Sequence, residues 1–428
     1  MKYYIETYGC QMNYSDTERL KTLLESYGFK ESKKREAADF IIFNSCSVRQ
    51  KAADRVYGEM VNMAELRKKK KDLLVGLTGC MVHKGKEQKM EKATYELDIA
   101  FRPEDMCHLA GRIRELRPKW LLCETDLDGY FEIAPKTSNK YQVSVPIMTG
   151  CDKFCTYCIV PYARGREKSR PLNGIVAECK KLVKAGAKEI TLLGQTVNSY
   201  STFVKLLCEI DKLHSKGLNR LRFMSAHPKD FSDDLIKTLS RLKTICPYIH
   251  LPVQSGSNSC LRRMNRPYTR EKYIEIIKKI RKAIPNCAIS TDIIVGFCGE
   301  TEKEFKDSCA LYEELHFDMA YLSQYSTRKG TFAAKKLKDD VPKKIKAERW
   351  HYLNQVLKKH SLACNKKYIG QTVEVLIEKQ TAKELIGRSR EYKEVHIREF
   401  DKKKKWIGEI IKVKVENVRE WELYGDKL

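Results

Sequence analysis

The chain has 428 residues, with 82 Lys and Arg against 56 Asp and Glu and a formal net charge of +26. Its hydrophobic fraction of 42% and mean hydropathy of −0.52 exclude a disordered chain, and no uncharged apolar run reaches the roughly 18 residues of a membrane span. The length suffices for two or three domains with cores of their own. MKYYIETYGC has no basic-then-apolar leader, so a cytoplasmic protein is expected. In that reducing compartment sixteen cysteines do not make a disulfide scaffold, and clustered thiols point to metal or redox chemistry.

From the N-terminus, three β-rich runs, KYYIETYGC, DFIIFNSC and LLVGLTGC, each end in Gly or Ser followed by Cys. A helix-like stretch follows each: 16–27, 51–69 and a shorter one after His83. Cys10, Cys46 and Cys80 therefore recur at the spacing of one βα unit. An open parallel α/β sheet over residues 1–118 is predicted, with the three cysteines at its carboxyl rim, where such sheets bind ligands. Residues 119–136 read as a polar linker.

Residues 137–365 repeat the βα pattern six times, with strand-like runs QVSVPIM, EITLLGQ, RLRFMSA, YIHLPVQS, CAISTDIIVGF and MAYLSQYS. Right-handed crossovers between them predict a parallel sheet curved into a partial (β/α)6 barrel. This segment carries a net +19 of the charge, the expected face toward a polyanion such as RNA. Residues 366–428 read as five short strands, at 372–378, 383–387, 393–398, 405–411 and 412–420, forming a small β-barrel that either meets RNA or serves as a structural cap.

Residues 151–158 read CDKFCTYC. Three thiolates at this spacing can hold three corners of a cubane iron–sulfur cluster and leave the fourth iron open. A structural zinc site wants a fourth ligand, and Cys179 and His214 lie too far along the chain to fit that spacing. CxxxCxxC opening a βα barrel resembles the radical S-adenosylmethionine (SAM) superfamily. The resemblance narrows to the MiaB-type tRNA methylthiotransferases through ETYGCQMNYSD (6–16), MTGCDKFCTYCIVPYARGREKSRP (148–171), LLGQTVNSY (192–200), HLPVQSGSNSCLRRMNRPYTREKY (250–273) and STDIIVGFCGET (290–301). The layout is similar too: an N-terminal methylthiotransferase domain, a radical SAM core and a C-terminal TRAM-like barrel. One departure is Cys298, where the family usually has Pro before GET.

The resemblance implies that Cys151, Cys155 and Cys158 bind the radical-generating [4Fe–4S] cluster and that Cys10, Cys46 and Cys80 bind an auxiliary [4Fe–4S] cluster, again with one iron open. His83, three residues past Cys80, is left out of the ligand set for that reason. It also implies addition of a methylthio group to C2 of dimethylallyl-adenosine 37 in the tRNA anticodon stem-loop. One SAM would be the radical source and another the methyl donor, with an electron donor and a sulfur source as partners. The YGCQMN string favours this acceptor over threonylcarbamoyl-adenosine 37 or a ribosomal protein side chain. A non-catalytic iron–sulfur RNA-binding protein is the reading from another class.

Gly194, Gln195, Gln254, Ser255, Ser290 and Asp292, near strand ends of the barrel, are SAM-binding candidates, with hydrogen bonding inside the core as the competing role of each. Arg164, Arg166, Lys168 and Arg170, just after the cysteine loop, are candidates for RNA phosphate contacts. No heptad seam is present, so a monomer is expected.

Overall fold

The computed structural model describes residues 1–47, 50–94, 96–120, 122, 123, 125, 127 and 129–428. Four residues of the expected linker, Leu121, Glu124, Asp126 and Asp128, lie outside the described residues. No described helix is long and apolar enough to cross a membrane.

The first sheet contains β1 (Lys2–Tyr8), β2 (Lys30–Glu31), β3 (Phe40–Ser45), β4 (Leu74–Gly79) and β5 (Ile99–Ala100), in the order β2-β1-β3-β4-β5 and parallel throughout. Strands β3 and β4 are buried along their whole length because helices cover both faces, so their sequences run continuously apolar instead of alternating. On one face α1 (Gln11–Ser26) inserts Leu20, Leu23 and Leu24; on the other α2 (Gln50–Lys69) inserts Val56, Met60 and Met63. The expected linker has no helix or strand over 129–136, yet it is not a free spacer. Tyr130 and Ile133 are buried in the core that α1 builds.

The middle region has six parallel strands in two groups. The first is β6 (Gln142–Pro146), β9 (Glu189–Leu193) and β10 (Arg220–Phe223); the second is β11 (Tyr248–His250), β12 (Ala288–Val295) and β13 (Met319–Gln324). A parallel bridge between Leu221 and Ile245 links the groups into one curved, open wall. Between β6 and β9 a short antiparallel pair, β7 (Met148–Thr149) and β8 (Lys168–Ser169), brackets the CDKFCTYC loop. A helix over Lys343–Lys366, not among the sequence expectations, packs on β13. Its many lysines hide the pattern, but Leu353, Leu357, Ser361 and Cys364 recur at helical spacing and are buried.

The C-terminal region is a closed barrel of β14 (Thr372–Gln380), β15 (Leu385–Ser389), β16 (Glu394–Ile397), β17 (Ile410–Val418) and β18 (Glu422–Lys427). One expected strand is corrected and one strand is added: residues 405–409 form a loop whose Trp406 fills the barrel core, the expected run 412–420 corresponds to β17, and the last strand, 422–427, is not among the sequence expectations. The missed strand carries Gly425, whose hydrogen lies against the Lys414 carbonyl, so its pattern looked like a turn. Three arginines dock this barrel on the middle region through main-chain carbonyls: Arg220 to Arg388 and Glu374, Arg222 to Ser389 and Arg390, and Arg390 to Asn219, Lys243 and Ile245.

Candidate active site between two cysteine triads

In the first sheet Tyr8 pairs with Ser45 and Ser45 with Gly79, so β1, β3 and β4 end in register. Cys10, Cys46 and Cys80 then leave the sheet together at its carboxyl rim, and the Cys46 amide donates to the Tyr8 carbonyl at 2.9 Å. Gly79 has φ +93°, and a Cβ there would lie 2.3 Å from the Ser45 carbonyl, so only glycine permits this turn into Cys80. Cys10 is the N-cap of α1, and its amide donates to Asn13 Oδ1 at 3.2 Å. Asn13 Nδ2 bonds Asn44 Oδ1 at 3.0 Å, which ties the start of α1 to the middle strand. The Cys46 thiol hydrogen-bonds to Cys80, and the Arg164 guanidinium lies against the same sulfur; together they pull the Cys80 thiol down to about 6 despite its burial.

The second triad sits on the loop after β7. Gly150, with φ +74°, lies so close to the Arg166 carbonyl that a Cβ would come within 2.1 Å of it. The Cys151 amide donates to Gly165 O at 3.2 Å and the Cys158 amide to Cys155 O at 2.9 Å, which curls the loop into a cup. Cys151 Sγ is 3.4 Å from Thr196 Oγ1, and Arg266 Nη1 donates to Cys155 Sγ at 3.4 Å. Burial, followed by the neighbouring Cys155, pushes the Cys158 thiol up to about 12, and Cys80 is near enough to add to the shift. Arg164, six residues after Cys158, donates through Nε to Cys80 Sγ at 3.3 Å, so the two triads lie on either side of one seam.

Among the described residues, neither triad has its three sulfurs all within the 4.8 Å that ligands of one ion would require. Three thiols with a cationic hydrogen-bond donor at the rim, spread more widely than one ion's shell, fit a cubane cluster better than zinc.

The SAM candidates divide. Gln195 Oε1 is buried without a hydrogen-bond partner, next to the Thr196 that touches Cys151. Gly194 packs on Met148, whose Cγ would lie 2.6 Å from an added Cβ, so the strand end hugs the base of the cysteine loop. Asp292 is about a third exposed, with His250 Nε2 at 3.5 Å. The other three are engaged internally. Gln254 pairs through its backbone with Asp292 and Ile294. Ser255 Oγ is 3.3 Å from Ser308 Oγ, and Ser290 Oγ bonds Tyr248 and His250 at 2.7 and 2.9 Å. Sequence reasoning missed His227, whose buried Nε2 has no partner and whose Nδ1 accepts from the Lys229 amide. Burial, reinforced by Arg266 and Lys153, pushes this imidazole down to about 2, so it is neutral with its proton on Nε2.

Two of the phosphate candidates are corrected. Arg164 is buried among Asp16, Glu104 and Cys80. Arg170 is buried against Glu178 at 2.6 Å, with its guanidinium over the Phe131 ring. Both lie in the seam between the first sheet and the barrel, where no phosphate reaches them. Arg166 and Lys168 are exposed; Arg166 pairs with Asp152 at 2.6 Å and covers the Phe154 ring. Cys298 lies in an apolar cluster with Cys260, Met264, Phe297 and Tyr325, a packing position.

A polar cavity of about 260 Å³ opens where Gln11, the residue after Cys10, meets Gln142, Ser144, Glu189 and Thr191 of the barrel wall and Arg388 and Tyr392 of the terminal barrel. All three regions line it.

Family models match three stretches: "Uncharacterized protein family UPF0004" over 2–101, "Radical SAM superfamily" over 145–312 and "TRAM domain" over 366–428. Among solved structures, the radical S-adenosylmethionine methyltransferase TsrM from Kitasatospora setae, with cobalamin and a [4Fe-4S] cluster bound, is similar at TM-score 0.57 and 16% identity, over 78% of this chain and 77% of that one, which is a likeness of fold. Among curated proteins, the tRNA-2-methylthio-N(6)-dimethylallyladenosine synthase of Clostridium botulinum is 42% identical over 100% of this chain and 97% of its own length. That of Thermoanaerobacter pseudethanolicus is 43% identical over 99% and 92%. With identity at this level running the length of all three regions, the chain belongs to the MiaB-type methylthiotransferase family of radical SAM proteins.

Proposed function

We propose that the chain adds a methylthio group to C2 of N6-dimethylallyladenosine 37 in tRNA, with one SAM as radical source and one as methyl donor. A [4Fe–4S] cluster and SAM come with family membership; the auxiliary cluster is part of this proposal. What carries the reading is the placing of two three-thiol sites on either side of one seam, joined by Arg164, which follows the CDKFCTYC loop and donates to Cys80 Sγ at 3.3 Å. In such proteins a reduced cluster with one open iron supplies the radical chemistry from SAM, and a second open iron suits delivery of sulfur.

The chain's own residues bind and position. Cys151, Cys155 and Cys158 hold the first cluster, and Cys10, Cys46 and Cys80 the second. Gln195 Oε1 offers an acceptor and His227 Nε2–H a donor, both buried and free to meet SAM. Asp292 faces the same rim with a partly open carboxylate. The extruded adenine, whose removal from a single-stranded loop costs little, is received between the two cysteine sites. Around it, Arg166 and Lys168 meet the backbone, and on the terminal barrel Arg398 and Arg419 flank Tyr424, which stacks on His396.

The working division is residues 1–118 for the auxiliary site, 119–136 as connector, 137–365 as radical core and 366–428 as RNA-binding barrel. The protein acts as a cytoplasmic monomer, with a separate electron donor and sulfur source.

The test is mass spectrometry of nucleosides from an anticodon stem-loop carrying dimethylallyl-adenosine 37, after incubation with anaerobically reconstituted protein, SAM and a reductant. The 2-methylthio nucleoside is expected. SAM cleaved to 5′-deoxyadenosine without that product would keep the core chemistry and reject this acceptor.

A further inference from the structure

Arg164 begins in the radical core and ends in the auxiliary site. It follows Cys158 by six residues and closes the short helix Val160–Ala163, its amide donating to the Val160 carbonyl at 2.8 Å. Its side chain, 1% exposed, crosses into the first sheet's territory. There Nη2 meets Asp16 Oδ2 at 2.5 Å, Nη1 meets Glu104 Oε1 at 3.3 Å and Nε donates to Cys80 Sγ at 3.3 Å. Asp16 is held from its other side by the Tyr130 hydroxyl at 2.7 Å. Every nitrogen of the fork is thus used.

A guanidinium keeps its charge at any working pH, and burying it demands compensation of this kind. Asp16 supplies most of that compensation and Glu104, whose carboxyl is pushed up to about 7 by burial, adds to it, which leaves the Nε–H···S contact as the one directed at the rim. Arg266 makes a comparable contact to Cys155, but its other bonds, to the Pro252 carbonyl and Tyr268, stay inside the radical core. Arg164 alone of the two has its root in one region and its contacts in the other.

We propose that Arg164 is a positioning residue for the auxiliary cluster: it fixes the Cys80 sulfur relative to the radical-core loop and, through its charge and N–H···S bond, raises that cluster's reduction potential. The inference rests on the reading of Cys10, Cys46 and Cys80 as cluster ligands. A hydrogen bond and a positive charge at a ligand sulfur stabilise the more negative, reduced form, so removing both makes reduction harder.

The experiment uses the full chain with Cys151, Cys155 and Cys158 all changed to Ala, so that the auxiliary site alone holds iron. After anaerobic reconstitution, iron and sulfide are counted and the cluster is titrated with reductant under electron paramagnetic resonance. About four irons per chain are expected in this background. Adding Arg164→Gln should shift the midpoint to a more negative potential, with Arg164→Lys, which keeps the charge and loses the fork, falling between. Loss of iron in Arg164→Gln with an unchanged thermal melt also supports the proposal, because the fold survives and the ligand geometry does not. An unchanged midpoint at equal iron overturns it, as does loss of iron together with a collapsed melt in both variants, which marks a strut of the fold only. Absence of iron from the background itself overturns the cluster reading, and the role of Arg164 with it.

Discussion

The two cysteine triads are built in opposite ways. The radical-core triad lies within eight consecutive residues, curled by Gly150 and backed by Arg266 and Thr196. The auxiliary triad is assembled from three strand ends separated by 36 and 34 residues, and depends on sheet register for its geometry. A local loop tolerates distant damage, whereas a site made of strand ends is only as well formed as the sheet beneath it. The two also differ in their wiring: the loop's arginine stays at home, and the sheet's arginine comes from across the seam.

The largest effect that tests this comparison is chemical. Cys155→Ala should abolish both SAM cleavage and nucleoside product, while Cys46→Ala should keep 5′-deoxyadenosine formation and lose the methylthio product. Chromatography of both products from one reaction checks this, and equal loss of cleavage in the two variants would erase the distinction between the sites.

Next in size is Gly79→Ala. With φ +93° and the Ser45 carbonyl in the way, an added methyl should cost about 1–3 kcal/mol and displace Cys80. Denaturant unfolding would read the cost, and iron counting should show loss confined to the auxiliary site.

Tyr130→Phe removes the hydroxyl that holds Asp16 behind Arg164 and should cost about 1–3 kcal/mol by leaving a buried acceptor short of a partner. On the RNA side, Arg398→Ala with Arg419→Ala should weaken stem-loop binding and reduce its logarithmic salt slope by about 1.5 to 2 while leaving both iron counts intact. Binding isotherms at several salt concentrations would show it, and an unchanged slope would remove these arginines from the RNA face.

The smallest effect is on acid stability. Burial favours the neutral form of Glu304, but Arg263, Ser259 and the Thr301 amide outweigh it and hold the carboxyl down to about 2. The Arg263 carbonyl in turn accepts from Thr156 in the radical-core loop. A depressed carboxylate stabilises the fold above its ordinary value of 4.5, and that contribution disappears as the pH falls toward 2. Glu304→Gln should therefore lower the melting temperature slightly at neutral pH and flatten its fall through this acid range. A variant whose acid limb matches the parent's would show that the pair does not support the loop.

Much of the architecture was legible in the chain. The six strand-like runs of the middle region appear as β6 and β9 to β13, and KYYIETYGC, DFIIFNSC and LLVGLTGC as β1, β3 and β4, because strands buried between helices announce themselves as apolar runs. The terminal barrel was less readable. A loop carrying Trp406 and a strand carrying Gly425 exchanged their usual appearances, since closure of the barrel decides which backbone is paired. The helix over Lys343–Lys366 stayed hidden behind its lysines.

For the site, composition and spacing determined which side chains could do chemistry: three thiols in eight residues carry their own geometry, and three cysteines one βα unit apart share a rim by the periodicity of the fold. Tertiary structure alone decided what surrounds them. Arg164 and Arg170 stand in a basic run that reads as a phosphate-binding face, yet the seam buries Arg164 against Asp16 and Glu104, residues distant in sequence, and Arg170 against Glu178 on the following helix. Gln195 and His227 are ordinary polar residues in the chain and become candidate ligands only because folding strips Gln195 Oε1 and His227 Nε2 of water and gives these two atoms no partner. A charge or a polar atom takes its role from what desolvates it and what it faces, and no local pattern of residues encodes either.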